Sequence, residues 1–486
     1  MKTASNRDRF AEGGKSHDPI LCDLRSLCPT ALAIIVMGCS LGPTFQHPET
    51  TSPTAWRTAD SHQKAAWPQA DWWRGFGSGQ LNELIAQAEA ANYDLAAAIA
   101  RVREADARAR IAGAPLLPSV GATAGLTRQR ATPSAATGRV VFPPDTTVVN
   151  PAITASYEFD FWGKNRAALE AAKASALASR YDEQVVELTV VTAVATTYFQ
   201  ILELRDRLTV AQSNIAAAQK LLSALQTEQE VGTATALDVA QQQTAVAALK
   251  AQVPPLTQQL QQSADALAIL VGRSPETLEL GAGALGDLSL PAVAPGLPSE
   301  LLARRPDIAE AEAQLMSANA NIRAARAAYF PDISLTAEGG FASVALQGLT
   351  GPAGALYAVT AGVTQPIFEG GALRGQLEYS KARYDELLQN YRKAVISAFG
   401  DVEDALIATR QTALLVQRQQ DAVDSARRAY AISSAQLQAG TVNLQTVLNT
   451  ENALFPAEDL LAQARFARLQ STVGLFKALG GGWQQK

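Results

Sequence analysis

The sequence predicts a mainly α-helical chain that also contributes to a transmembrane β-barrel. It is internally duplicated, with four strands per chain and two long antiparallel helical coiled-coil arms. Three observations predict this class. The first is a repeat: Asp94-Leu95 and Leu117-Pro118-Ser119-Val120 return 213 residues later as Asp307-Ile308 and Phe330-Pro331-Asp332-Ile333. Likewise Val231-Gly232-Thr233 and Val271-Gly272 return 208 residues later as Ala439-Gly440-Thr441 and Leu479-Gly480. A period this long lies far beyond the ~20–50 residues of a solenoid unit and marks one architecture built twice. The second is strict apolar–polar alternation in two stretches of each copy, the period-2 pattern of strands with one greasy and one wet face. The third is a run of 68 residues in each copy, 164–231 and 372–439, with unbroken helical periodicity. Periodic runs beyond ~25 residues point to coiled coils rather than globular helices.

Each element follows in chain order. Asp71-Trp72-Trp73-Arg74-Gly75-Phe76 opens the folded part, and Leu81 to about Ala114 reads as one helix with Leu95, Ile99 and Val102 at helical spacing. Pro118 ends that pattern. Val120–Thr127 alternates, and so does Ile153–Phe161, while the Pro-, Thr- and Gly-rich segment between them reads as a long surface loop. After Gly163 the period returns to 3.6 until the turn at Gly232-Thr233. A returning helix then ends near Gly272, and Pro254-Pro255 is expected to kink or break it. The second copy repeats the order: a helix from Pro306 to Tyr329, a strand from Ile333 to about Phe341, a loop at 348–354, a strand from Tyr357 to Val363, then the helical arms, with Pro456 as their one proline. The domain reading is a leader over 1–38, an equatorial N-terminal segment over 39–80, a first repeat over 81–278, a linker over 279–305 and a second repeat over 306–486. An arm of this length spans ~100 Å at 1.5 Å per residue. The abundant alanines along the arms favour helix and let backbones approach closely.

Composition narrows the function classes. A net charge of −5 argues against a nucleic-acid partner. Three histidines and three cysteines leave little for metal or nucleophilic chemistry. Carboxylate pairs such as Glu158/Asp160 and Glu403/Asp404 read as solvated faces. No metal, cofactor or enzymatic activity is expected. No stretch reaches ~18–20 consecutive apolar residues, so a bilayer crossing would have to be made by a barrel. At the N-terminus, Arg7, Arg9, Lys15 and Arg25 precede the apolar run Ala31–Met37, then Gly38-Cys39. A small residue directly before cysteine, just past an apolar core, resembles the lipobox of bacterial lipoproteins. Cys39 is the expected lipidation site, and cleavage there would remove Cys22 and Cys28, leaving no disulfide. Ser40 rather than aspartate after Cys39 favours the outer membrane.

Four strands cannot close a barrel, since membrane barrels start at about eight. An open sheet in lipid would leave unpaired backbone groups at several kcal/mol each. The chain must therefore oligomerise, and three copies would supply twelve strands.

At this point a resemblance is specific. Gly296-Leu297-Pro298-Ser299-Glu300-Leu301-Leu302-Ala303-Arg304-Arg305-Pro306-Asp307-Ile308, then Ala311-Glu312 and Ala327-Ala328-Tyr329-Phe330-Pro331, resembles the hallmark of the TolC-like outer-membrane efflux proteins. It is most similar to their lipoprotein (NodT/OprM-type) branch. Cys39-Ser40-Leu41-Gly42-Pro43, Trp72-Trp73 with Phe76 and both Gly-Thr turns fit the same family. The resemblance implies a homotrimer with a twelve-stranded barrel in the outer membrane and a helical tunnel through the periplasm. It also implies a periplasmic adaptor and an inner-membrane pump as partners, and a passive exit duct for small molecules such as drugs or toxic compounds. A channel for type I protein secretion, or more remotely a periplasmic coiled-coil adaptor, is the alternative. The family's periplasmic tip carries the gate, with aspartates six and nine residues after the second-copy glycine. Here Gly440 is followed at those places by Thr446 and Asn449, and Gly232 in the first copy by Asp238 and Gln241. The gate would then be held by neutral polar contacts and by packing around Leu444, Val447 and Leu448.

Overall fold

The computed structural model describes residues 44–57, 67–130 and 145–484. The leader, Cys39 and His62 lie outside them. A 3₁₀ turn (Trp72–Phe76) leads into α1 (Gly79–Ala91), α2 (Tyr93–Gly113), β1 (Ser119–Arg130), β2 (Asp145–Phe159) and the hairpin α3 (Lys164–Glu230) and α4 (Ala236–Leu270). After a short α5 (Pro298–Leu301), the order returns as α6 (Pro306–Ala327), β3 (Asp332–Phe341), β4 (Ala355–Thr364), α7 (Ala372–Gln438) and α8 (Leu444–Ala478).

The four strands form one antiparallel sheet in the order β1-β2-β3-β4. Its register puts every alternation in phase. Ala122 pairs with Ile153, Ile153 with Gly339, and Gly339 with Tyr357. Directly opposed residues share a face, so one face carries Val120, Leu126, Ile153, Tyr157, Leu335, Tyr357, Val359 and Val363. The other carries Thr123, Thr154, Ser156, Ser334, Thr336 and Thr360. A slip of one residue at any pairing would mix the two. Val120, Leu126, Tyr357 and Val363 are all about 70% exposed or more in the single chain, which suits a lipid-facing surface and no aqueous one. β2 starts at Asp145, eight residues before the expected Ile153, and ends at Phe159, short of Phe161. The expected loop is therefore partly strand. Pro151, which cannot donate to the ladder, pairs with Ala124, and Ala152 sits opposite Gly340, where a side-chain carbon would clash with the Pro151 carbonyl.

The expected single helix before β1 is two. Asn92 breaks it: its Oδ1 accepts from the Asp94 and Leu95 amides at 2.9 and 3.0 Å, and its Nδ2 donates to the Leu270 carbonyl at 2.8 Å. A short polar side chain offering the backbone a cap outcompetes helix continuation. Conversely, α4 runs through Pro254 and Pro255, and α8 through Pro456. The expected break at Pro254-Pro255 is absent. Both prolines, with Lys250 and Ala251 whose carbonyls they leave without a helical donor, lie on the exposed side, while Leu249 and Leu256 hold the opposite side buried. Water can satisfy the freed carbonyls, so the interruption stays local.

The 67-residue helices span ~100 Å, but their 35-residue return helices cover only about half of that. The rest of α3 packs on α2 and α6. One stretch of α3 is long and apolar enough by composition to cross a membrane. It is instead core: Val190, Val191, Val194, Ala195, Phe199, Ile201 and Leu202 pack against Trp72, Phe76 and Phe476. Trp72 stacks on Phe476 at 4.8 Å.

The Arg-Arg-Pro segment ties this waist together. Trp56 Nε1 donates to the Gly296 carbonyl at 2.7 Å, Trp67 Nε1 to Glu300 at 2.9 Å, and the Arg304 guanidinium lies 4.5 Å over the Trp67 ring. Arg305 bonds Asp307 at 2.7 Å, Asp401 at 2.9 Å and the Ala478 carbonyl at 3.3 Å, joining α6, α7 and the end of α8. The reading of Glu158/Asp160 as a solvated face is corrected. The Asp160 carboxylate is 7% exposed and accepts from the Asn165 and Arg166 amides at 3.0 and 2.8 Å, capping α3 where an anion meets a helix N-terminus. Glu158 pairs with Lys164 at 2.8 Å, and Lys164 with Asp332 at 2.7 Å.

Two large contacts between the copies leave their duplicates unmade among the described residues. β2 pairs with β3, yet the outer edges of β1 and β4 have no partner among the described residues. α6 covers α3, and at matched positions Ala171 of α3 is 5% exposed where Tyr379 of α7 is 65% exposed. The face of α7 equivalent to the covered face of α3 is thus open.

Candidate gate at the hairpin tips

Both hairpins reverse through the same turn. At the end of α3, Gly232 takes φ +81°, and the Thr233 amide and hydroxyl both donate to the Glu228 carbonyl, at 2.8 and 3.0 Å. At the end of α7, Gly440 takes φ +67°, and Thr441 bonds the Gln436 carbonyl at 2.9 and 3.0 Å in the same way. Positive φ at the residue after a helix end favours glycine, and the following threonine satisfies an orphaned carbonyl. These two needs explain the Gly-Thr repeat.

The next helices then start with different chemistry. Thr235 caps α4 in a reciprocal box with Asp238: the Asp238 amide donates to the Thr235 hydroxyl at 3.2 Å, and the Thr235 amide and hydroxyl donate to Asp238 Oδ2 at 2.9 and 2.7 Å. Those bonds, the hydroxyl's first, hold the Asp238 carboxyl below the usual range, so it stays ionised. Asn443 caps α8, accepting from the Thr446 amide at 3.1 Å and hydroxyl at 2.9 Å. Asn449 accepts from Gln445 at 3.0 Å. Thr446 and Asn449 are exposed, and Asp238 and Gln241 half-buried. From Gln438 to Thr450 the second-copy turn carries no charged residue, whereas Glu228, Glu230 and Asp238 put negative charge on the first-copy turn.

Behind the turns, Leu225, Val239, Leu444 and Leu448 form a small core joining both hairpins of one chain. A second cluster of Ala218, Val246, Leu249, Leu454 and Phe455 follows. Two features escaped the sequence reading. Gln242 and Glu451 lie buried between these clusters, 0% and 2% exposed. Higher up, Arg207 bridges the hairpins, bonding Asp459 at 2.6 Å and Glu203 at 3.2 Å, beside a cleft of about 460 Å³ between them. Glu451 had a visible signal, since it takes an apolar place in the series Leu444, Val447, Leu448, Leu454, Phe455. The bridge from Arg207 to Asp459 had none, because the two lie 252 residues apart.

An amphipathic four-stranded sheet on top of two helical hairpins, with open edges and a small apolar tip, is a segment of a conduit wall. Residues 84–273 and 297–481 match the outer membrane efflux protein family, to which the chain belongs. It is 41% identical to the pyoverdine export outer membrane protein OpmQ of Pseudomonas putida, over 95% of this chain and 98% of that one. It is 34% identical to the toluene efflux pump outer membrane protein TtgF of the same species, over 93% and 96%. The solved open state of the Neisseria gonorrhoeae MtrE outer membrane channel superposes with a TM-score of 0.82 at 28% identity, covering 91% of this chain and 98% of that one. The protein is an outer-membrane efflux channel.

Proposed function

We propose that three copies of this chain close a twelve-stranded barrel and a helical tunnel, forming the passive outer-membrane duct of a tripartite system with a periplasmic adaptor and an inner-membrane pump. The observation that carries the reading is the in-phase sheet: one face apolar from Val120 to Leu126 on β1 and from Tyr357 to Val363 on β4, the other mainly polar, and both edges open among the described residues. Twelve strands enclose a polar lumen, and closure satisfies every edge. The bore carries small molecules. Among relatives, OpmQ is named for pyoverdine and TtgF for toluene, a range that suits a duct whose cargo is chosen upstream. The tips around Gly232, Asp238, Gln241, Gly440, Thr446 and Asn449 are the constriction that the adaptor meets. The mature chain begins at lipidated Cys39, as in the NodT/OprM-type branch. A lipid anchor added to a barrel is redundant for retention, because the barrel alone is held by its apolar belt.

A deletion strain complemented with wild type or Cys39→Ala tests both points. Deletion is expected to raise retention of a fluorescent efflux dye several-fold, and both complements to restore export. Radioactive palmitate should label the wild type and not the variant. Unchanged dye retention on deletion argues against the duct, and label persisting on Cys39→Ala removes the lipid assignment.

A further inference from the structure

Glu451 occupies a core position of α8, seven residues or about 10 Å from that helix's first residue, between the tip cluster and the cluster above it. It is 2% exposed, and neither carboxyl oxygen has a hydrogen bond of ordinary geometry among the described residues, Gln242 being the one polar side chain that acts on it. Its neighbour across the hairpins is Gln242 of α4, fully buried, whose Nε2 donates to the Ala218 carbonyl of α3 at 3.0 Å and whose Oε1 is unpartnered. Ser433 of α7 and Thr450 of α8 share a hydroxyl–hydroxyl hydrogen bond at 2.7 Å. Such a position costs little for a neutral acid and a great deal for a carboxylate without a cation.

We propose that Glu451 is a proton-operated latch for the tip. Its carboxyl is neutral while the two hairpins are packed, and ionisation loosens α8 from α3 and α4, releasing one proton per chain to solvent. The titratable and charged groups around it are few. Tyr430 faces it from α7, its phenol pushed up by burial first and then by the Glu451 charge. From α4 the facing group is neutral Gln242, from α3 it is Ala218, and no basic side chain acts on the carboxyl. The nearest ion pair on these helices, Arg427–Glu458 at 2.6 Å, lies about two turns higher. Burial pushes the Glu451 carboxyl up from 4.5 to about 7, against a smaller opposing pull from Gln242.

The sign follows from that direction. A raised carboxyl favours the packed tip fully below about 4.5, progressively less between about 4.5 and about 7, and no less above that. Between those limits the packed-to-loosened ratio falls by at most roughly 300-fold. Asp238 does not act in this window, because its carboxyl is held low rather than high. Glu203 and Glu187, both pushed up first by burial, lie higher on α3, so a substitution must separate them from Glu451.

The latch concerns packing, and its effect on conduction rests on the tip being the constriction. Hydrogen exchange of peptides covering 440–455 in the full-length detergent-solubilised protein, corrected for intrinsic base catalysis, reads packing directly from pH 4.5 to 8.5. Protection in the wild type is expected to fall by one to two orders of magnitude across that range. In Glu451→Gln and in Glu451→Leu it is expected to stay flat and high. Flat protection in the wild type overturns the latch without any variant, and so does an unchanged pH response in Glu451→Gln. Single-channel recordings supply the second readout. Opening that increases with pH in the wild type and not in Glu451→Gln supports both latch and gate. A pH response in exchange without one in conduction upholds the latch and removes the tip as the constriction.

Discussion

Replacing Gly480 with alanine is expected to abolish accumulation of the assembled channel. Gly480 ends α8 at φ +83°, and a side-chain carbon there would come within 1.8 Å of the Arg304 carbonyl. That carbonyl belongs to the segment whose next residue, Arg305, joins α6, α7 and the end of α8. The left-handed backbone costs an alanine about 1–2 kcal/mol and the clash about 1–3 kcal/mol more. A marginally stable chain cannot absorb that sum easily. The first repeat carries the same device: Gly272, at φ +71°, would meet the Ala91 carbonyl at 2.2 Å, one residue before the Asn92 cap. Gly272→Ala should therefore match Gly480→Ala. Gly474→Ala, inside α8 with open space around it, should accumulate normally or slightly better, since alanine favours helix. Quantitative blotting of outer-membrane fractions compares all three. Normal accumulation of Gly480→Ala would show that the waist does not depend on this approach.

The second large effect concerns charge in the bore. The turn between α7 and α8 carries no charge from Gln438 to Thr450, and its polar side chains are engaged in capping. Hexamminecobalt is therefore expected to block wild-type current in planar bilayers only weakly. Thr446→Asp with Asn449→Asp adds two charges per chain, six in the proposed trimer, and rings of charge set selectivity in a narrow pore. Block should strengthen by about tenfold or more at low salt, and less at high salt as screening grows. Asn443 still caps α8 in the variant, so the helix start survives. Strong block of the wild type, unchanged by the aspartates, would place the constriction elsewhere. If the first-copy turn also faces the bore, Asp238→Asn is expected to reduce a residual cation preference while weakening the cap of α4.

What could be read from the sequence divides along physical lines. Long-period features were visible because they need no partner: the repeat, the unbroken helical arms, and the alternation in β1, β3 and β4. The start of β2 was hidden because Asp145, Asn150 and Pro151 carry turn chemistry, which the pairing with β1 overrides. Asn92 was missed inside an alanine-rich run, where a single cap looks like one more polar surface residue. Pro254-Pro255 does not break α4, because the exposure of the freed carbonyls, which the sequence does not reveal, is a tertiary property. At the tip, the glycines and threonines announced a turn, but Asp238 proved to be half of a capping box. The Arg-Arg-Pro segment identified the family while its work at the waist depended on Trp56, Trp67 and Asp401, far away in sequence.

Above all, the proposed duct requires that this chain be a fraction of a closed wall. Among the described residues, the β2–β3 pairing has its unmade duplicate at the β1 and β4 edges, and the α3–α6 packing at the bare face around Tyr379. Native mass spectrometry of the full-length protein released from detergent measures this directly. The account predicts one species at three times the chain mass. A folded, stable monomer would contradict it.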